Sequence, residues 1–201
     1  MLFLNDMERT EARTEKIRRV LSKRQLDLTV VLENVHDPHN VSAVIRSCDA
    51  VGIYEVFLIY HSGQKFPDLS KKSSASSIKW VELNFFDNVG GCFFALRQRG
   101  FKIFTTSLKA DSISLYELNL AEPVALVFGN EHSGVSEEAI SLADGNFLIP
   151  QVGMVESLNI SVACAVSLYE AFRQRLVAGK YDIPQLVGDK FKEIFEIWLR
   201  K

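Results

Sequence analysis

The feature that most constrains the fold is a pair of nearly unbroken apolar runs, LTVVLENV at residues 28–35 and PVALVFGN at residues 123–130. A strand with one face in water alternates apolar and polar residues, whereas a strand buried on both faces does not. Both runs therefore predict strands in the middle of a parallel sheet. Four further strands are predicted at EVFLIY (55–60), KWVEL (79–83), FKIFTTSL (101–108) and NFLIP (146–150).

Helical periodicity separates these strands along the chain. The predicted helices cover residues 8–25, 39–52, 88–99, 136–143, 157–178 and 191–200. The first of them is expected to be an exposed N-terminal helix. Alternating strands and helices predict an α/β fold with a mainly parallel sheet. In such sheets ligands bind outside the carboxyl ends of the strands. The candidate ligand-binding segments are therefore NVHDPHN, TTSL, GNEHSG and IPQVGMVESLN.

The composition bounds the class of protein. The length of 201 residues predicts one domain of moderate size with terminal extensions. No apolar run approaches the roughly 20 residues that span a bilayer, and the N-terminus does not resemble a signal peptide. We therefore expect a cytoplasmic protein without a membrane partner. Cys48, Cys92 and Cys164 are widely spaced, so we expect reduced, mostly buried thiols and no metal site.

The net charge of -2 does not indicate a nucleic-acid partner, but the distribution of charge is more informative. Between Glu8 and Arg24 the basic residues outnumber the acidic ones. A second basic group lies in and around a serine-rich stretch and comprises Lys65, Lys71, Lys72 and Lys79. Both groups are compatible with phosphate contacts. They are equally compatible with a solvated helix face and a solvated loop.

Common nucleotide motifs are missing from the sequence. No GxGxxG follows the first strand, which disfavours a dinucleotide site. Gly129 and Gly134 have the spacing of a P-loop, but Val135 stands where that loop needs its lysine. Neither HExxH nor GxSxG occurs. The strand ends offer small polar residues and backbone groups instead, which suit a mostly neutral ligand held by main-chain hydrogen bonds.

Three long segments, in a fixed order, point to a known family. They are ENVHDPHNVSAVIRSCDAVGI (33–53), LVFGNEHSGVSEEA (126–139) and IPQVGMVESLNISVACAVSLYEAFRQR (149–175). They resemble the SpoU (TrmH) family of RNA ribose 2'-O-methyltransferases, within the SPOUT superfamily. The resemblance covers nearly the whole chain. It is greatest to the branch that methylates a D-loop guanosine of tRNA.

The resemblance implies a SPOUT fold whose C-terminal part forms a deep trefoil knot. It further implies that S-adenosylmethionine binds to the knot loops, and that a homodimer places residues of both subunits near each active site. It divides the chain into an N-terminal extension (1–27), a catalytic domain (28–180) and a C-terminal extension (181–201). The candidate tRNA contacts are Arg9, Arg13, Lys16, Arg19, Lys71 and Lys72.

The same resemblance assigns catalytic roles to five residues, Arg46, Asn40, Glu131, Ser157 and Asn159. Arg46 could serve as the base or as an electrostatic clamp on the RNA phosphate and the developing alkoxide. Asn40 and Ser157 also suit helix N-caps. Asn159, two residues inside the predicted helix, is less well explained by capping. Glu131 could instead be a loop acid that bonds backbone amides.

The positions that match the family's cofactor site are Thr106, Gly129, Ile149 and Leu158. Apolar Ile149 and Leu158 suit the neighbourhood of an adenine ring, with their main-chain groups reading its edge. Both are equally reasonable as core residues. His132 and Glu156 stand where relatives carry other residues, and His132 receives no catalytic role.

Three other functions compete with a tRNA guanosine methyltransferase. One is an rRNA ribose methyltransferase of the same family, although such relatives often carry a separate N-terminal RNA-binding domain, for which we expect no room here. Another is a non-catalytic RNA-binding module, which the intact set of catalytic positions disfavours. The last is a nicotinamide-dependent oxidoreductase, which lacks its glycine motif.

Overall fold

The computed structural model describes residues 2–69, 77–108 and 112–201, and for residues 2–9 it describes only the backbone. Its strands are β1 (Leu28–Glu33), β2 (Glu55–Ile59), β3 (Glu82–Phe86), β4 (Lys102–Thr106), β5 (Ile113–Ser114), β6 (Val124–Phe128) and β7 (Gly145–Leu148). Its helices are α1 (Leu2–Leu21), α2 (Pro38–Ala50), α3 (Val89–Gln98), α4 (Glu137–Leu142), α5 (Ile160–Val177) and α6 (Gly188–Leu199). A short 3-10 turn covers Leu115–Glu117.

The strands form one sheet in the order β3-β2-β1-β6-β4-β7-β5, and each pairing between these strands is parallel. This confirms the predicted α/β fold with a mainly parallel sheet. Every residue of β1 and β6 is buried, as their apolar runs predicted. The carboxyl ends of β1, β6, β4 and β7 lie side by side, so the loops after these strands gather at one edge of the sheet.

Alternate residues of β1 contribute to two hydrophobic cores, one on each face of the sheet. Val30 packs in the core that contains α2 and α5 residues such as Val44 and Leu168. Val31 packs in the core that contains α3 and α4 residues, including Phe93. The alternation follows from the two-residue period of a strand. The sheet is thereby held rigidly between helix layers, which positions its carboxyl edge.

The two terminal helices pack against each other. Ile17 and Leu21 of α1 are buried with Ile194 and Trp198 of α6 in a third cluster. The prediction of an exposed helix over residues 8–25 was therefore wrong on two points. The helix runs from Leu2 to Leu21 rather than from residue 8 to residue 25, and one of its faces is buried because α6 supplies an apolar partner.

Several predicted boundaries were also wrong. The strand predicted at 79–83 lies at Glu82–Phe86, because Trp80 packs on Trp198 with ring centroids 4.9 Å apart rather than joining the sheet. The two-residue β5 was not predicted, since it is too short to show a period. Helix α2 begins one residue early, at Pro38, and Asp37 caps it by accepting a hydrogen bond from the His39 amide at 2.8 Å.

The three cysteines are free and buried, which confirms the prediction of reduced, buried thiols. No helix among the described residues combines the length and the apolar character needed to cross a membrane. Within the same residues there is no group of three or more His, Cys, Asp or Glu side chains able to hold a metal ion. The trefoil knot stays a prediction.

Candidate active site

A cleft of about 650 Å³ opens at the carboxyl edge of the sheet. Its walls are the end of β6 with the loop that follows (128–135), the end of β7 with Ile149 (147–149) and the residues at the start of α5 (156–160), with Thr106 at the end of β4. This is the position that the topology predicts for a ligand site, because neighbouring parallel strands deliver their loops to one edge.

All four residues predicted to bind the cofactor line this cleft: Thr106, Gly129, Ile149 and Leu158. Thr106 is anchored by a hydrogen bond from its hydroxyl to the carbonyl of Val127 at 3.2 Å. Ile149 and Leu158 are half-buried. Ile149 also packs against the larger core, so it is a core residue that lines the cleft as well.

Gly129 is required by the packing of the loop that follows β6. Asn130 and Gly134 exchange two backbone hydrogen bonds of 3.0 and 2.8 Å, which folds the loop back on itself. A Cβ atom on Gly129 would lie 2.1 Å from the carbonyl of Gly134, far closer than any real contact. The glycine therefore allows the loop backbone to form this wall of the cleft.

Two asparagines that the sequence analysis did not single out hold the same loop in place. Asn130 donates a side-chain hydrogen bond to the carbonyl of Asn34 at 2.8 Å and accepts one from the His132 amide at 2.8 Å. Asn34 follows β1 and has a positive φ of 53°. Asparagine adopts the left-handed backbone region more readily than most residues. An asparagine directly after a buried strand was therefore the sequence signal that could have identified Asn34.

A chain of side-chain hydrogen bonds joins three of the predicted catalytic residues. The Asn40 amide donates to the Glu131 carboxylate at 2.9 Å, and the Asn159 amide donates to the Asn40 carbonyl oxygen at 3.2 Å. Glu131, Asn159 and the predicted catalytic Ser157 line the cleft, whereas Asn40 lies behind it. Asn40 is buried, and its hydrogen bonds hold the side chains of Glu131 and Asn159 in place.

The predictions that Asn40 and Ser157 are helix N-caps were wrong. Asn40 lies inside α2 and is not its N-cap, which is Asp37. Helix α5 begins at Ile160, and its N-cap is Asn159, whose side-chain oxygen accepts from the Ser161 amide at 2.9 Å. Ser157 lies two residues before this cap and is exposed. The Asn159 side chain thus caps α5 with its oxygen and reaches Asn40 with its nitrogen.

Arg46 lies on a different side of α2 from Asn40. It is exposed on α2, six residues after Asn40, which places it about 120° around the helix axis. It does not line the cleft of its own chain, although the other predicted catalytic residues line the cleft or contact its walls. Arg46 is therefore on the exposed side of α2.

Burial, together with the negative charge of Glu131, raises the pKa of Tyr60 well above its ordinary value. The Tyr60 hydroxyl donates to the Val35 carbonyl at 2.5 Å. Tyr60 therefore stays protonated and acts as a fixed donor that braces the β1–α2 loop. It is unsuited to act as a base.

Among the described residues, one buried side-chain polar atom of the cleft lining has no hydrogen-bond partner. The Oε1 atom of Gln151 is buried without a hydrogen bond, while its Nε2 atom donates to the carbonyl of Glu156 at 3.3 Å. A buried acceptor left unpaired is costly. A ligand that donates a hydrogen bond in the cleft would satisfy it.

The predicted tRNA contacts are only partly within the described residues. Arg13, Lys16 and Arg19 are exposed on α1. The side chain of Arg9, and Lys71 and Lys72 entirely, lie outside them.

Comparison with known proteins decides the family. The model of the SpoU rRNA Methylase family matches residues 27–169. The chain belongs to the SpoU family. Each of the three SpoU segments recognised in the sequence reaches the site, the first through Asn40, the second through Gly129 and Glu131, and the third through the stretch from Ile149 to Asn159.

Individual SpoU relatives are similar over most of the chain. The tRNA (guanosine(18)-2'-O)-methyltransferase of Thermus thermophilus is 48% identical over 96% of this chain and 99% of its own length. The crystal structure of the A. aeolicus TrmH/SpoU tRNA modifying enzyme superposes with a TM-score of 0.88 at 39% identity, covering 95% of this chain and 96% of that one.

A more distant SpoU structure contains a cofactor. The SpoU methyltransferase AviRb from Streptomyces viridochromogenes, in complex with the cofactor AdoMet, has a TM-score of 0.67 and 26% identity. The match covers 77% of this chain and 59% of that one.

Proposed function

We propose that the protein transfers a methyl group from S-adenosylmethionine to the ribose 2'-hydroxyl of guanosine 18 in the D-loop of tRNA. The observation that carries the proposal is the convergence of both predicted sets in one cleft. The four cofactor positions line it, and Glu131, Ser157 and Asn159 line it with them. The similarity to a tRNA (guanosine(18)-2'-O)-methyltransferase at 48% identity supports the choice of substrate.

The residues present fit the proposed cofactor. The cleft of about 650 Å³ lies within the usual range for ligand sites, roughly 300–1,000 Å³. Thr106, Gly129, Ile149 and Leu158 would hold S-adenosylmethionine, and the unpaired Gln151 oxygen offers it an acceptor. When bound, the cofactor supplies a methyl group activated by its sulfonium charge. We expect micromolar affinity by calorimetry, about -8 kcal/mol.

We assign the hydrogen-bonded side chains of Asn40, Glu131 and Asn159 to binding of the RNA. Asn40 holds Glu131 and Asn159 in one orientation, and Ser157 lines the same cleft. We place the reacting ribose and its phosphate against Glu131, Ser157 and Asn159. Positioned groups of this kind lower the barrier by holding the attacking oxygen in line.

We assign Arg46 the handling of charge in the reaction. Arginine is normally protonated and binds phosphate through two parallel hydrogen bonds. Arg46 would hold the RNA phosphate and stabilise the alkoxide as the 2'-hydroxyl gives its proton to solvent. If Arg46 were the base, the rate would depend on the protonation state of its guanidinium and therefore on pH. As a clamp, Arg46 stays protonated and adds no such dependence.

We further propose a homodimer. Val152 and Met154, in the loop that precedes α5, are fully exposed, and Val162 and Tyr169 of α5 are about half exposed. Exposed apolar groups of this size commonly mark interfaces. Arg46 does not line the cleft of its own chain, so in this proposal the second subunit supplies that arginine.

The dimer can be tested by subunit mixing. Arg46→Ala and Asn159→Asp chains are each expected to be inactive. If each site takes its arginine from the other subunit, mixed dimers contain one intact site and recover about a quarter of the activity, from random pairing. Absence of recovery, with mixing confirmed by mass spectrometry, would contradict the shared site.

We propose residues 1–27 as a tRNA-contacting extension and residues 181–201 as a C-terminal helical extension of a catalytic domain at 28–180. Given a tRNA substrate, we place the protein in the cytoplasm. The basic face of α1 presents Arg13, Lys16 and Arg19. Binding through these residues should weaken steeply with salt.

The function is tested by incubating the protein with labelled S-adenosylmethionine and with unmodified tRNA or rRNA, then mapping the methylated ribose. We expect label in tRNA at guanosine 18. Label in rRNA alone would overturn the proposal in favour of an rRNA methyltransferase. RNA binding without any label would favour a non-catalytic binding module.

A further inference from the structure

A second pocket, of about 390 Å³, lies between the terminal helices. Among the described residues it shares no lining residue with the active-site cleft. Four exposed basic side chains surround it: Arg13, Lys16, Lys79 and Lys201. The pocket therefore joins α1, the turn before β3 and the C-terminus into one positively charged concavity.

The floor of this pocket is aromatic. Both tryptophans of the chain, Trp80 and Trp198, line it. Their ring centroids are 4.9 Å apart, and the rings are tilted by 58°. Trp198 is buried, whereas Trp80 is only half-buried. Trp80 thus presents part of its indole to the pocket, while Trp198 supports it from behind.

The acidic side chain in the lining does not cancel the positive charge. Asp49 forms an ion pair with Arg24, which is fully buried. The Arg24 guanidinium also lies 5.1 Å from the centre of the Trp198 ring. Asp49 is therefore engaged by the protein itself. The Lys201 ammonium donates to the Lys79 carbonyl, and the side chains of Arg13, Lys16 and Lys79 are left to face an anionic ligand.

We propose that this pocket binds an unpaired nucleotide of the tRNA substrate, with the base on Trp80 and the phosphate on the surrounding cations. Basic grooves with aromatic platforms are the usual way in which proteins hold unpaired nucleotides. The volume is sufficient for one such unit. The proposal rests on tRNA as the substrate and names a contact remote from the reacting ribose.

Helix α2 connects the pocket with the active site. Asn40 lies at its first turn beside the cleft, and Asp49 lies nine residues later, about 14 Å along the helix axis. Arg46 and Asp49 are three residues apart, so they are neighbours on the same side of the helix. In the proposed dimer, an RNA that Arg46 holds at the second subunit's cleft would therefore lie close to this pocket.

The test uses the intrinsic fluorescence of the full-length protein, because both of its tryptophans belong to the pocket. Titration with an unmodified tRNA transcript should quench the emission along the same curve as binding measured by a filter assay. A fully paired RNA duplex of equal length and inorganic phosphate serve as probes without unpaired bases. Both should quench much less.

Two variants separate the base contact from the phosphate contact. Trp80→Ala should weaken tRNA binding by about tenfold or more, with the salt dependence unchanged. Lys79→Glu should weaken binding and lower the salt slope by about 1 or more. Trp80→Phe keeps a stacking ring and should retain most of the affinity. Lys102→Glu, at an exposed lysine of β4, is the matched charge control.

The pocket variants should raise the KM for tRNA more than they lower kcat, and should leave S-adenosylmethionine affinity unchanged. Binding of tRNA without a change in emission, or equal quenching by duplex or phosphate, would overturn the nucleotide pocket. In both cases methylation of tRNA by the unaltered protein would leave the proposed function standing. Failure of that methylation would contradict the function itself.

Discussion

The Asn40 side chain donates a 2.9 Å hydrogen bond to the Glu131 carboxylate across 91 residues of sequence. Asn40 lies in the first turn of α2, and Glu131 lies in the loop after β6. The pairing of β1 with β6 brings these two loops together at the same edge of the sheet. The contact links the first SpoU segment to the second, and Asn159 links both to the third.

Replacing Asn40 by aspartate should disable the site without unfolding it. Asn40→Asp removes the donor to Glu131 and puts a second carboxylate beside it, which repels it. We expect methyl transfer to fall by about 10- to 100-fold, since a hydrogen bond to a charged group is lost. Single-turnover methylation measures this. Ser47→Ala, on the same helix, is the control, and full activity of Asn40→Asp would contradict the role.

Variants of Asn159 and Ser157 should distinguish an effect on helix capping from an effect on catalysis. Asn159→Ala should destabilise the protein by about 1 kcal/mol through loss of the α5 cap. Asn159→Asp keeps a good cap but loses the donor to Asn40, so stability should hold while methyl transfer falls. Ser157→Ala should change stability by less than about 0.5 kcal/mol and still lower activity. Thermal unfolding and methylation, measured together, distinguish these outcomes. An active Asn159→Asp enzyme would show that the link to Asn40 is dispensable.

Gly129→Ala should open the loop after β6. The new Cβ would meet the Gly134 carbonyl at 2.1 Å, and this contact is with backbone that cannot rotate away. We expect S-adenosylmethionine affinity to drop by at least about tenfold, equivalent to 1.4 kcal/mol. Calorimetry measures the loss. Gly90→Ala in α3, where a Cβ meets nothing closer than 3.6 Å, should bind normally. Normal binding by Gly129→Ala would contradict the loop's role.

Arg46→Ala should abolish methyl transfer while cofactor binding survives, because Arg46 does not line the cleft. Arg46→Lys keeps the charge but loses the two-pronged geometry, so it should recover only part of the rate. Rates measured across a pH series test the clamp against a base role. Arg97→Ala, at an exposed arginine of α3, is the control. Near-normal turnover by Arg46→Ala would remove Arg46 from the mechanism.

The Glu170–Arg173 pair on α5 should make stability depend on pH. Hydrogen bonds from Arg173 lower the pKa of Glu170 below its ordinary value of 4.5, against the opposing effect of burial. A lowered folded pKa gives stability that is present above the unfolded value and is lost as pH falls through the folded one. Arg173→Gln should therefore melt earlier than the unaltered protein at neutral pH, and this difference should vanish well below pH 4.5.

The control for this pH effect is Lys192→Gln. Lys192 pairs with Asp189 at the same i,i+3 spacing, but both side chains are at least 76% exposed. Exposed pairs contribute little to stability, so this variant should melt like the unaltered protein at every pH. A melting difference for Arg173→Gln that persisted in acid would show that the arginine stabilises α5 by packing rather than by charge.

Much of the fold was predictable because the central strands are buried on both faces. Val30 and Val31 point to opposite faces of the sheet, and both side chains are buried. In a parallel sheet, helices that cover both faces provide this burial. The cofactor positions were predictable for a similar reason. Gly129 and Ile149 directly follow buried strands, and the carboxyl ends of such strands meet at one edge.

Local sequence could not choose the cap of α5. Serine and asparagine are comparable N-caps, so Ser157 and Asn159 were both possible starting points. In the structure Asn159 is the cap, and its side chain also contacts Asn40, which lies 119 residues away in the sequence. The place of Trp80 was decided similarly, since its partner Trp198 comes from the other end of the chain.

The sequence alone thus determined the layered α/β architecture, the edge of the sheet that carries the site and the family to which the residues belong, because burial and strand direction follow from local pattern. The tertiary structure decided which polar side chains meet, which one caps α5 and how the two ends of the chain close around a basic, aromatic pocket. Those outcomes depend on contacts between distant segments, and such contacts exist only once the sheet has brought the segments together.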